Sequence, residues 1–125
     1  MERTLTLRMV PELPASDVRA QLTRARRLHD AGKRALAFYL HEMQTRGLHQ
    51  ESGHESAVHY AVARLGMKRR SARDLFVAGK LLSELPKSDE AFCEGRINWS
   101  MLRLLANVAT QGTEVEWIAK AEALT

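Results

Sequence analysis

Four cations, Lys68, Arg69, Arg70 and Arg73, follow closely after Gly66, with Arg64 just before the glycine and Lys80 two helical turns beyond Arg73. Residues 64–80 hold six positive side chains and one negative, a local charge of +5. A guanidinium is a planar fork of donors that suits a phosphate or the O6/N7 edge of guanine, and an ammonium suits a phosphate as a point charge. The chemistry on offer is the binding of a polyanion. The alternative for the same residues is a solvated basic face of a helical bundle; charge placement and turn spacing together favour the polyanion.

Other chemistries fit less well. His54-Glu55 followed by His59 comes near a zinc-protease motif, but that motif needs two histidines four apart on one helical face. A spacing of five puts two helical side chains about 140° apart. His49, His54 and His59 are therefore expected at the surface or at a helix start, with no metal bound. Cys93 lies between Phe92 and Glu94 with no histidine near it in sequence, which points to a buried small hydrophobe and away from a nucleophile. Glu84, Asp89, Glu90 and Glu94 cluster at capping and solvated positions. No glycine loop that could cradle a phosphate and no dinucleotide fingerprint occurs, so neither a catalytic residue nor a cofactor is assigned. Trp99 and Trp117 fall on core faces of helices.

These cations need an element to aim them. Val58, Ala61, Val62 and Leu65 share one helical face, and Ala72, Leu75, Phe76, Gly79 and Leu82 share another. Gly66 stands between them, where a tight turn needs a residue tolerant of positive φ. That is the outline of a helix-turn-helix over about residues 55–85, with the second helix as reader. At 100° per residue, Arg70, Arg73, Asp74 and Val77 point away from the apolar stripe, and Arg69 and Lys80 flank it. Leu81 also falls on the outward side, so other structure is expected to cover the later part of that helix.

Around this unit the chain reads as helices. Residues 16 to about 46 form one long helix, with Ser16 as N-cap and Asp17 in the first turn. Its first half is basic and thinly apolar, with Arg24, Arg26 and Arg27. Its second half, with Leu36, Phe38, Tyr39, Leu40 and Met43, is the better core helix. Gly32 marks a kink or break near the middle. Pro86 stops the reader helix at about Leu85. Ser88 caps a short helix closed by Gly95, and Asn98 caps another with Trp99, Leu102, Leu105, Ala106 and Ala109 inward. Thr113-x-x-Glu116 is a capping box opening a last helix with Val115, Ile118, Ala119 and Leu124. That helix stops soon after its cap, which suggests a fragment of something longer. Residues 3–10 alternate apolar and polar, the pattern of a short strand or an extended arm.

With 125 residues, 45% hydrophobic and 27% charged, the chain suits a single folded domain with a modest core. Residues 1–15 form an arm and residues 16–125 an all-α, multi-helix bundle containing the helix-turn-helix. The net charge of +4 is unevenly spread. Residues 16–34 also carry +4, whereas residues 81–95 carry −3. Such a distribution attracts a polyanion, and nucleic acid is the commonest one in a cytoplasm. Neither basic segment has large aromatics opposite its charges, so a membrane surface is not the expected partner. No apolar run reaches membrane-spanning length, no signal-peptide pattern opens the chain, and a lone cysteine fits a reducing cytoplasm.

Leu65-Gly66-Met67, Arg69-Arg70-Ser71-Ala72-Arg73, Leu85-Pro86, Glu94-Gly95-Arg96-Ile97-Asn98-Trp99-Ser100 and Leu104-Leu105-Ala106 follow in that order. Over about residues 48–125 the chain resembles the helical region that precedes the nuclease domain in bacterial HNH endonuclease-like proteins of the 13E12 type. It is also similar to the central helix-turn-helix of partition-protein DNA binders. The resemblance implies double-stranded DNA as partner and a nuclease part lying C-terminal to Thr125. The paired histidines and asparagine of the ββα-metal signature are absent from this sequence, so no catalytic residue carries over. The expected function is a DNA-binding, non-catalytic module contacting DNA through Arg64, Lys68, Arg69, Arg70, Arg73 and Lys80. A helical interaction or homodimerisation module is the alternative.

Overall fold

The computed structural model describes residues 8–124, and every regular element among them is a helix. In order these are α1 (Ala15–Thr45), α2 (Leu48–Glu51), α3 (Ala57–Leu65), α4 (Arg69–Glu84), α5 (Pro86–Cys93), α6 (Trp99–Val108) and α7 (Glu114–Leu124). Of the proposed strand, residues 3–7 lie outside the described residues, and residues 8–10 are exposed and not in a strand.

The centre is the crossing of α1 and α4. Ala37 on α1 and Ala72, Leu75, Ala78 and Leu82 on α4 are buried there. Gly79 is what lets the two backbones meet. A Cβ built on it would lie 1.9 Å from the Ala37 carbonyl oxygen, far inside any van der Waals contact. The helices α2 and α3 close one side of this pair. On the other, α5 and α6 pack on α4, and α7 packs on both of them. Trp99, Leu102, Leu105 and Ile118 are the large buried side chains of that second group. Phe92 meets the Trp99 ring edge-to-face, with centroids 5.6 Å apart.

Several local expectations change. The long helix begins at Ala15, because the Pro14 carbonyl already accepts the N–H groups of Asp17 and Val18. Ser16 is therefore inside the first turn and caps nothing. The helix passes through Gly32 without a break. Its second half is less a core helix than its composition suggests: Leu36, Phe38 and Tyr39 are exposed, and Ala37 and Leu40 carry the burial. The short helix opens at Pro86, a favoured first helical residue. Ser88 is wholly buried in its first turn, so it is not the cap. Its N–H donates to Oε1 of Glu114, which reaches across from the first turn of α7. Thr113 Oγ1 accepts from the Thr110 N–H and so stabilises the turn before α7. Val115, Ala119 and Leu124 are exposed, and the face of α7 that turns inward is Glu114, Ile118 and Ala121.

Among the described residues the starts of α3 and α6 are capped by side chains. Asn98 accepts the Met101 N–H at 2.9 Å, as its position in the sequence predicts, and Ser56 accepts the His59 N–H at 3.0 Å. Gln44 of α1 accepts the Ala57 N–H at 2.8 Å and so ties the start of α3 to the long helix.

Candidate nucleic-acid interface

The turn between α3 and α4 is built by Gly66, with φ +67 and a left-handed backbone that an L side chain resists. The Met67 N–H returns to the Ala61 carbonyl, closing α3 with a six-to-one bond. Lys68 then takes the N-cap position of α4 in extended conformation. Among the described residues no side chain caps this helix start, and no acidic residue stands in its first turn. The free N–H groups and the positive end of the helix dipole are left beside Lys68, Arg69 and Arg70.

All six predicted contact residues are exposed, and none has a carboxylate within ion-pair distance among the described residues. Elsewhere cations are engaged: Arg34 with Asp89, Arg96 with Glu94 and Glu122, Arg103 with Asp74. Arg69, Arg73 and Lys80 fall within about 40° of one another around the α4 axis, and Arg70 lies about 60° beyond Arg73. Arg64 stands on the other side of the turn, in the last turn of α3. Val77 is the exposed apolar residue among these cations.

The outward face is narrower than the helical wheel alone suggests. Asp74 pairs with Arg103 of α6 at 3.5 Å, and Leu81 is half-buried. The packing of α6 against α4 thus covers the side of α4 that carries Asp74, and the free face is the one that carries Arg73 and Lys80.

The histidines behave differently from expectation. His49 is buried, and His54 and His59 are half-buried with their Nδ1 atoms 3.1 Å apart. The 140° argument does not apply, because the Ser56 cap puts His54 outside α3, where the chain folds back over the helix start. One imidazole donates its Nδ1–H to the other, and the His54 ring meets Tyr60 edge-to-face at 5.3 Å. Among the described residues no three His, Cys, Asp or Glu side chains converge on a metal site.

Cys93 is exposed, not buried, because α5 ends there at the rim of a groove. That groove, of about 750 Å³, runs between the first half of α1 and the segment from Phe92 to Asn98. No histidine lines it, so the thiol has no base beside it. At its edge Arg34 clamps Asp89 with two hydrogen bonds of 2.7 Å. The bond to Asp89 holds the Arg34 guanidinium above its ordinary pKa, against the opposing effect of burial. Sequence reasoning missed this pair, since 55 residues separate the partners. The signal present was the i+4 repeat Asp30–Arg34, which sets two charges on the face of α1 that turns inward.

Compared with protein-family profiles, with curated proteins and with solved structures, the chain matches none. Among the described residues no helix is long and apolar enough to cross a membrane.

Proposed function

We propose that the chain is a DNA-binding helical module in which α3, the Gly66 turn and α4 act as a helix-turn-helix. The observation that carries this is the α4 start: an uncapped helix N-terminus ringed by exposed cations that have no carboxylate partner among the described residues. The cations that hold this fold together are paired instead, as Arg34, Arg96 and Arg103 are. Lys68, Arg64 and Lys80 take phosphates, the free α4 N–H groups take one more, and Arg69, Arg70 and Arg73 enter the major groove. The module works on duplex DNA in a cytoplasm. In the 13E12-like reading it is the non-catalytic N-terminal part of an HNH-type endonuclease and cleaves nothing itself.

The test is a binding titration of two duplexes of different sequence over a range of salt. Three phosphate-neutralising side chains give a slope of log K against log salt of about −3, which steepens to about −5 where the three arginines neutralise phosphates as well. A base-reading arginine adds a difference of about 1–3 kcal/mol between duplexes. Absence of binding at low salt would overturn the proposal.

A second reading has its own support. Val18, Leu22, Leu36 and Tyr39 stand exposed on one line of α1, which suits a protein partner whether or not DNA binds.

A further inference from the structure

From Val18 to Met43 one line of α1 advances in alternating steps of three and four residues. Val18, Leu22 and Ala25 begin it, His29 and Gly32 hold its middle, and Leu36, Tyr39 and Met43 complete it. That is the a/d spacing of a coiled-coil seam. On a straight helix such a line drifts by about 20° per heptad, and a left-handed supercoil absorbs the drift. The fold leaves most of the line uncovered. α4 packs on the other side of α1, and the seam is open to solvent: Val18 is 43% exposed, Leu22 64% and Tyr39 66%. Beside its C-terminal half lies an apolar groove, in which Leu36, Tyr39 and Met43 are joined by Tyr60 and Leu65 of α3.

We infer that this seam is the interface with a second copy of the chain, the two α1 helices running antiparallel. Self-complementarity identifies the occupant. A two-fold axis that crosses α1 between Asp30 and Ala31 sets every layer at once: Val18 on Met43, Leu22 on Tyr39, Ala25 on Leu36, His29 on Gly32. Each layer then joins a small or medium residue to a larger one, so the helix separation stays even. Leu22 and Val18 of one copy enter the apolar groove of the other. A parallel pair would stack Ala25 on Ala25, Gly32 on Gly32 and Tyr39 on Tyr39, and would leave that groove empty.

Charge favours the same choice. Along one edge of the antiparallel seam Asp17 comes beside Arg46, Gln21 and Arg24 beside Glu42, and Leu28 beside Ala35. Arg46 can take Asp17, since its contact with Glu42 of its own helix is a loose 4.0 Å. The other edge brings Arg26 near Lys33, a like pair that Asp30 moderates, standing 3.4 Å from Arg26. A parallel pair would set Gln21 beside Arg26 and Leu28 beside Lys33, with no opposite charges to join. His29 is the polar layer that fixes the register. Each copy offers a strip about 45 Å long, widened by Tyr60 and Leu65, against the roughly 800 Å² per partner that a stable interface needs. The interface leaves the α4 cations open, so its failure and the failure of DNA binding are separate results.

Light scattering over a concentration series reads the mass, which should approach twice 14.1 kDa. Leu22→Glu should return it to the monomer with an unchanged circular dichroism spectrum, because Leu22 is exposed in the single chain and glutamate suits a helix about as well. In a Cys93→Ser background, Leu22→Cys with Tyr39→Cys should oxidise to a covalent dimer, and Leu22→Cys alone should not. A monomer at the highest concentration, a dimer indifferent to Leu22→Glu, or cross-linking through Leu22→Cys alone would each overturn the antiparallel pair.

Discussion

At the scale of single residues, two positions decide more than their size suggests. Gly79 sits where the α4 backbone passes the Ala37 carbonyl, and any Cβ there collides with backbone, which has nowhere to turn. Gly79→Ala should force α1 and α4 apart and cost about 1–3 kcal/mol, despite the better helix propensity of alanine. Urea denaturation followed by circular dichroism measures this, and a stability equal to or above that of the wild type would contradict the crossing. Glu114 is 1% exposed and accepts the buried Ser88 N–H. Glu114→Ala leaves that donor without a partner and should cost about 1–3 kcal/mol by the same denaturation measurement. Glu114→Gln keeps an acceptor oxygen at the same place and should cost less. Equal losses in the two variants would mean that the hydrogen bond is not what Glu114 provides.

At the scale of elements, the periodic segments and some of their ends were legible because they depend on neighbours in sequence. Asn98 and Gly66 sit within one turn of the groups they serve, so their roles follow from position. Tertiary partners were not legible. Ser88 looked like a cap because serine at a helix start usually is one, yet a carboxylate 26 residues away meets its N–H. Asp89 was placed at a capping or solvated position because it stands near a helix start, yet Arg34 grips it from α1. His54 and His59 were set apart by a helical angle that holds only if both lie in the helix, and the Ser56 cap excludes one of them. The Arg34–Asp89 clamp joins α1 to α5. A double-mutant cycle with Arg34→Ala and Asp89→Ala should give a coupling of about 1 kcal/mol, limited because the arginine is partly solvated. A coupling near zero would make the pair a surface contact without weight in the fold.

At the scale of the whole molecule, the all-helical class came directly from apolar periodicity, whereas the division of labour among the helices did not. The cations near Gly66 stood out in the sequence as a charge cluster, and the structure adds that they are exposed, with no carboxylate partner among the described residues. The outward face of α4 proved narrower, because the contact of Arg103 with Asp74 reflects the packing of α6 on α4, which no local pattern announces. The long helix was read as basic first and apolar second, and its seam became visible only when the structure showed which side α4 leaves uncovered.

DNA binding by the α4 cations is tested by comparing two triple variants with the wild type over a salt series. Arg69→Ala with Arg70→Ala and Arg73→Ala removes three exposed charges from the start of α4, and helix content should hold because alanine is the best helix former. Arg19→Ala with Arg24→Ala and Arg27→Ala removes as many from the first half of α1. The α4 variant should lose affinity at every salt concentration, and its slope should become shallower by about 3 if all three arginines neutralise phosphates. Where an arginine reads a base, the slope changes less and the preference between two duplexes falls instead. The α1 variant should keep both slope and preference. A folded α4 variant that binds duplex DNA with the wild-type affinity, slope and preference would contradict DNA binding through α4.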